Sequence, residues 1–241
     1  MKILLSLLAA LAVATPTLAA PARRPAAAAH NWLNTIVATP EGGFRIGNPA
    51  AKVKLVEYGS LTCPHCRAFY QSAMADLRAK YIATGNVSFE YRNFVRNGPD
   101  YAASLLAACD GPAKFFDRID ALFNNQDKWM DPFVTMKAEA AEKIGALPPE
   151  AQIAALAKAG SLDTFMQKRG LTPARATQCL GNKAAQDALT NVQRTAIETY
   201  KVDGTPGFLI DGQRQTVDVA GVTRGVVTWI DLEPKIVAAL R

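Results

Sequence analysis

The stretch K-V-K-L-V-E-Y-G-S-L-T-C-P-H-C-R-A-F-Y, residues 52–70, constrains this chain more than any other. Its first part reads as a strand. Val53, Leu55, Val56 and Tyr58 are apolar, as in a strand covered on both faces. Alternation places Glu57 on the same side as Val53 and Leu55. After the cysteines the period changes: Cys66, Phe69, Tyr70, Ala73, Leu77 and Tyr81 recur at helical spacing. Pro64 suits the first position of that helix, where its missing N–H costs nothing. Cys63 therefore falls at a helix N-terminus, among unpaired N–H groups and at the positive end of the helix dipole. Cys66 lies one turn further in, on the apolar face.

This placement favours redox chemistry. A thiolate at a helix N-terminus is stabilised, so the pKa of Cys63 should fall, and His65, when protonated, adds a second cation. Stabilising the thiolate stabilises the dithiol, which makes the disulfide a stronger oxidant. An exposed Cys63 is expected to attack or be attacked, with Cys66 resolving the mixed disulfide. The competing chemistries fit less well. Haem attachment needs C-x-x-C-H, and Arg67 follows Cys66. Zinc needs about four ligands, and only Cys109, Cys179 and His30 remain, all isolated. No metal and no cofactor are expected.

The compartment agrees. Lys2 precedes an apolar run from Ile3 to Val13, and Thr17 and Ala19 satisfy the small-x-small cleavage rule. Residues 1–19 thus read as a secretory signal, 20–30 as an alanine- and proline-rich tether, and the expected location is the periplasm, where thiols can be oxidised. The net charge of +6 comes from scattered basic residues and does not argue for nucleic acid binding.

Two short β-like runs flank Pro40–Gly43, which suggests a hairpin. V-S-F-E-Y-R-N-F-V places Val87, Phe89 and Tyr91 on one face of a second strand. From about Gly98 to Thr199 the pattern is helical, and F-V-T-M-K-A-E-A-A-E-K-I reads as one of its helices. Gly111-Pro112, Asp131-Pro132 and Pro148-Pro149 punctuate the block. Phe115, Phe116, Phe123 and Trp129 read as core. After Phe208–Ile210, Asp211-Gly212 signals a hairpin turn, with T-V-D-V continuing the alternation.

E-Y-G-S-L-T-C-P-H-C-R-A-F resembles the active site of DsbA-like thiol:disulfide oxidoreductases of the thioredoxin superfamily. K-F-F-D-R-I-D-A-L-F-N-N-Q-D-K-W, residues 114–129, resembles their helical insert, and G-T-P-G-F-L-I-D-G, residues 204–212, their proline loop. The resemblance implies an α/β, thioredoxin-like fold, a central mixed sheet flanked by helices, with an inserted helical domain. Residues 31–97 and 200–241 would form the thioredoxin-like domain and 98–199 the insertion. It implies a cis Pro206 beside the disulfide, with Thr205 available to pair with substrate; on its residues alone, Pro206 reads as an ordinary trans proline opening a strand, and only the resemblance reverses that. It implies that Glu57 is the buried acid that relays protons for Cys66; alternatively, Glu57 is a strand-end residue reaching solvent.

The implied activity is donation of the Cys63–Cys66 disulfide, across the Pro64-His65 pair, to reduced, unfolded exported proteins. Reoxidation would come from a membrane-bound, quinone-linked thiol oxidase of the DsbB type, and the expected form is a monomer. Many such oxidases carry valine before the proline, whereas threonine, found here, is familiar in disulfide isomerases. A disulfide isomerase or reductase of the same fold, and a non-redox peptide-binding module, are the alternatives. Cys109 and Cys179 are expected to form a structural disulfide, permitted by the compartment and by the even count left over; two buried free cysteines are the other reading.

Overall fold

Alternation, β-branching and the glycine at its end make Val53–Gly59 the central strand of the molecule. The computed structural model describes residues 31–241, so the expected signal segment, the tether and His30 lie outside the described residues. In chain order the strands are β1 (Ile36–Ala38), β2 (Phe44–Gly47), β3 (Val53–Gly59), β4 (Val87–Asn93), β5 (Gly207–Ile210), β6 (Gln213–Arg214), β7 (Thr216–Val219) and β8 (Val222–Gly225). The main sheet runs β1-β2-β4-β3-β5-β6. β3 and β4 are parallel, and the other pairings in it are antiparallel. This is the mixed α/β sheet expected of a thioredoxin-like fold.

Helix α1 (Pro64–Asp76) begins the crossover from β3 to β4, continued by a π-helical turn, Leu77–Ile82. It buries Cys66, Phe69, Tyr70, Ala73 and Met74. The Phe69 ring lies 4.6 Å from that of Phe208 on β5. Full burial of such a ring contributes about 1.5–3 kcal/mol, so Phe69 pins α1 to the sheet. On the opposite face Val56, Tyr58 and Leu209 meet Val192, Ala196 and Val202. Position 59, the last of β3, needs glycine because a Cβ there would come 2.5 Å from the Tyr91 ring.

Between β4 and β5 lie eight helices: α2 (Gly98–Ala108), α3 (Pro112–Asn124), α4 (Gln126–Val134), α5 (Ala138–Gly145), α6 (Pro149–Ala159), α7 (Leu162–Gln167), α8 (Pro173–Leu180) and α9 (Lys183–Glu198). Helix α10 (Trp229–Ala239) closes the chain. Phe115, Phe116, Phe123 and Trp129 are all buried. Tyr70 of α1 and Phe123 of α3 approach to 4.6 Å, which packs this block against the active-site helix.

Two local expectations are corrected. Pro132 does not break the chain but lies inside α4; the interruption falls after Val134, so Phe133 and Val134 belong to α4 and Ala138 onward to α5. Trp129, buried on α4 and packed edge-on against Phe133, holds the turn across the proline. After Asp211-Gly212 the returning strand is only Gln213–Arg214. T-V-D-V pairs instead with Val222–Gly225 in a separate two-stranded sheet. Ala220 and Gly221, at φ 53° and 79°, make that second turn, and the Asp218 carboxylate accepts the Gly221 N–H at 2.8 Å.

Candidate active site

The redox pair stands where β3 hands over to α1. Cys63 is the extended residue that caps the helix (φ −84°, ψ 123°), with Pro64 in its first turn. Its N–H donates to the Ser60 carbonyl at 3.1 Å, and its carbonyl accepts the first helical N–H, from Arg67, at 3.1 Å. Both cysteines are free thiols in this structure. Pro64 and His65 are exposed on the first turn. Cys63 itself is only 1% exposed, which corrects the expectation of an open sulfur. The loop of Thr205 and Pro206 covers it: the Thr205–Pro206 bond is cis, and the Cys63 thiol donates to the Thr205 carbonyl at 3.3 Å.

The two sulfurs have opposite acidities. Cys63 falls to about 4, chiefly because the Cys66 thiol hydrogen-bonds to it; burial opposes the fall, and Thr205 and the backbone N–H groups of Cys66 and His65 reinforce it. A thiolate cannot donate to the Thr205 carbonyl. Ionisation loses that contact, and the Thr205 hydroxyl, buried and without a hydrogen-bond partner among the described residues, is a further donor on the same residue. Cys66 is fully buried, and burial pushes its thiol well above the usual range, helped by its hydrogen bond to Cys63 and by Glu57.

Glu57 lies beneath, fully buried on the face of β3 that it shares with Val53 and Leu55. Neither carboxyl oxygen has a hydrogen-bond partner among the described residues. Burial first, and the Cys63 charge second, hold its pKa well above the ordinary value, so the carboxyl keeps a proton it can move. The solvent-reaching alternative does not hold.

Three polar residues that the sequence analysis passed over complete the site. Gln126, the first residue of α4, donates its amide to the carbonyls of Leu61 at 2.7 Å and Cys63 at 3.1 Å. Asp100 on α2 accepts from Ser60 Oγ and the Leu61 N–H, and burial raises its carboxyl to about 6. Ser60 donates its N–H to Cys66 Sγ at 3.5 Å. Of the three, only Asp100 had a sequence signal: Asn97 caps α2 by accepting the Asp100 N–H, an N-terminal pattern readable three residues apart. Cys109 and Cys179, by contrast, lie in the helical block, joined by a disulfide with a Cα separation of 5.7 Å. Among the described residues, no group of three or more His, Cys, Asp or Glu side chains could hold a metal.

The profile of the Thioredoxin family matches residues 39–224, and the chain belongs to that family. Within it the fold is DsbA-like. It is similar to the crystal structure of a protein-disulfide isomerase from Novosphingobium aromaticivorans, with 32% identity, a TM-score of 0.74, and coverage of 82% of this chain and 96% of that one. The fold of Wolbachia pipientis alpha-DsbA1 superposes with a TM-score of 0.63 at 22% identity, over 85% of this chain and 93% of the other. A protein of Rickettsia typhi named as a protein-disulfide oxidoreductase is 27% identical over 79% of this chain; the match spans 63% of the relative's length.

Proposed function

We propose that this chain is an exported thiol:disulfide oxidoreductase that donates its Cys63–Cys66 disulfide to reduced, folding secreted proteins. The observation that carries this reading is the placement of Cys63 at the start of α1 against the cis Thr205–Pro206 loop, with Cys66 and Glu57 fully buried behind it; the lowering of Cys63 and the raising of Cys66 follow that placement. A substrate thiolate attacks Cys63, the Cys63–Cys66 bond breaks, and Cys66 leaves with the electron pair. Cys66 then takes a proton, for which Glu57 is the nearby buried acid. A second substrate thiolate attacks the substrate sulfur of the mixed disulfide, and Cys63 departs as the stable thiolate. The substrate loses two electrons and the cysteine pair gains them. A membrane quinone-linked thiol oxidase of the DsbB type would remove them again. Pro64 and His65 present the pair, and the Thr205–Pro206 loop is where extended substrate backbone would align.

The test is the reduction potential of the pair in glutathione buffers. The expected value is oxidising, nearer the roughly −120 mV of strong disulfide donors than the roughly −270 mV of thioredoxin. A thioredoxin-like value would overturn the oxidase reading. It would favour the second one, an isomerase or reductase, which the threonine before the cis proline and the similarity to the Novosphingobium isomerase support. A non-redox peptide-binding module would keep its activity when Cys63 and Cys66 are both alanine.

A further inference from the structure

Asp100 is a buried acid that the exchange chemistry above leaves without a role. It stands on the first turn of α2 and is 0% exposed. Burying a carboxylate costs several kcal/mol unless donors surround it, and here the donors come from the loops that follow β3 and β4. Oδ2 accepts the Ser60 hydroxyl at 2.6 Å and the Arg96 N–H at 3.0 Å, and Oδ1 accepts the Leu61 N–H at 2.9 Å. The carboxylate thus joins the loop that follows β3 to the loop that follows β4, at the C-terminal ends of two parallel strands. Asn97, which caps α2, adds a fourth tie by donating to Thr62 Oγ1 at 3.0 Å. Ser60, held this way and itself fully buried, points its N–H at Cys66 Sγ, 3.5 Å away.

The geometry points to Asp100 as a positioning residue for the exchange reaction: through Ser60 and Leu61 it fixes the loop whose Ser60 N–H supports the negative charge on Cys66 as the Cys63–Cys66 bond breaks. Attack on Cys63 makes Cys66 the leaving group, in a pocket where burial disfavours its thiolate. The Ser60 N–H acts in the opposite sense on that sulfur. A leaving thiolate that meets a fixed donor needs no rearrangement at the moment of bond breaking. An asparagine at position 100 would keep the shape but turn an NH2 group toward some of the donors that the carboxylate accepts.

This inference rests on exchange at Cys63–Cys66, not on the direction of electron flow. The experiment measures reduction of the oxidised protein by excess dithiothreitol at pH 7, quenched with an alkylating agent and read by mass. Asp100→Asn should slow reduction about tenfold, the size expected for one weakened hydrogen bond to a charged group. Ser60→Ala, which leaves the two backbone N–H bonds to Asp100 in place, should slow it less, about threefold. Thiolate absorbance of the reduced variants should give the wild-type midpoint for Cys63. An unchanged rate in folded D100N overturns the inference, as does a Cys63 midpoint that moves with the rate, since both then report a general disturbance of the site. If D100N does not fold, S60A decides alone, and a wild-type rate there overturns the inference. A thioredoxin-like reduction potential would overturn the oxidase reading while leaving this comparison of rates standing.

Discussion

Cys63 Sγ lies 3.3 Å from the carbonyl oxygen of Thr205, 142 residues away in the chain. The contact brings the cis proline loop onto the sulfur, and the Thr205 hydroxyl is buried without a hydrogen-bond partner among the described residues. As a thiol, Cys63 uses the carbonyl; as a thiolate, it draws on a donor. Thr205→Val removes that donor at nearly constant volume. The Cys63 midpoint in the reduced protein should then rise by roughly one unit, followed by thiolate absorbance. Thr205→Ser should stay near wild type. A valine variant that titrates like wild type would show that the hydroxyl does not reach the thiolate.

The low pKa of Cys63 also predicts how stability responds to pH. Its thiol moves from an ordinary 9.0 to about 4 on folding of the reduced protein. A group depressed on folding contributes stability that is complete above its unfolded value and is lost as pH falls toward its folded value. The oxidised protein has no thiolate and lacks this contribution. The stability of the reduced form relative to the oxidised form should therefore decline steadily from pH 9 to pH 4. Cys66, shifted upward, changes the balance only above about pH 9. Glu57 is present in both forms, so the burial part of its shift cancels, and only the smaller part owed to the Cys63 charge differs between them. Denaturant unfolding of both forms at pH 8, 6 and 4.5 measures the difference, and a pH-independent gap would contradict the assignment.

Glu57 predicts the opposite trend. A carboxyl whose folded pKa is raised costs stability increasingly as pH rises above its unfolded value. Glu57→Gln removes that cost. The oxidised variant should be more stable than wild type at pH 7, by on the order of 1–3 kcal/mol, and show little gain at pH 4. Its reduction by dithiothreitol should be slower at pH 7, because glutamine cannot supply the proton that Cys66 needs on leaving. A variant that loses stability at pH 7 would show that the buried carboxyl has a partner it depends on.

The parts of the fold readable in the sequence are those governed by local periodicity. β3 and α1 follow from the alternation before Gly59 and the helical spacing after Pro64, and the helices after Gly98 from apolar residues three and four apart. Misreadings occur where a tertiary contact overrides a local signal. Pro132 is a helix breaker by propensity, yet the burial of Trp129 carries α4 through it. T-V-D-V alternates as well as any strand, and only the second turn at Ala220-Gly221 shows that it pairs forward rather than back. Cys63 reads as the open sulfur of a helix N-terminus until residues 205–206 cover it. Asp100 and Gln126 look like solvated helix residues; what makes them part of the site are hydrogen bonds to Leu61, 39 and 65 residues away.

The Cys109–Cys179 disulfide gives the last prediction. It ties the end of α2 to α8 and closes a separation of 70 residues. Chain-entropy arithmetic assigns such a crosslink about 4 kcal/mol. The same junction has a second clamp. Asp110, next to Cys109, pairs with Arg118 at 2.6 Å and Arg175 at 2.8 Å, and these guanidinium groups hold its carboxyl below the usual range. Half-exposed Arg175 adds little to stability, whereas Arg118 is 3% exposed and also donates to the carbonyls of Leu106 and Cys109. A C109A/C179A variant should therefore fold through this polar junction yet lose about 2–4 kcal/mol in denaturant unfolding. Its Cys63 midpoint should be unchanged, because the bridge touches neither the Thr205 loop nor Ser60. In a C63A/C66A background, alkylation of the denatured, unreduced protein should find no free thiol, and two titratable thiols would overturn the bridge.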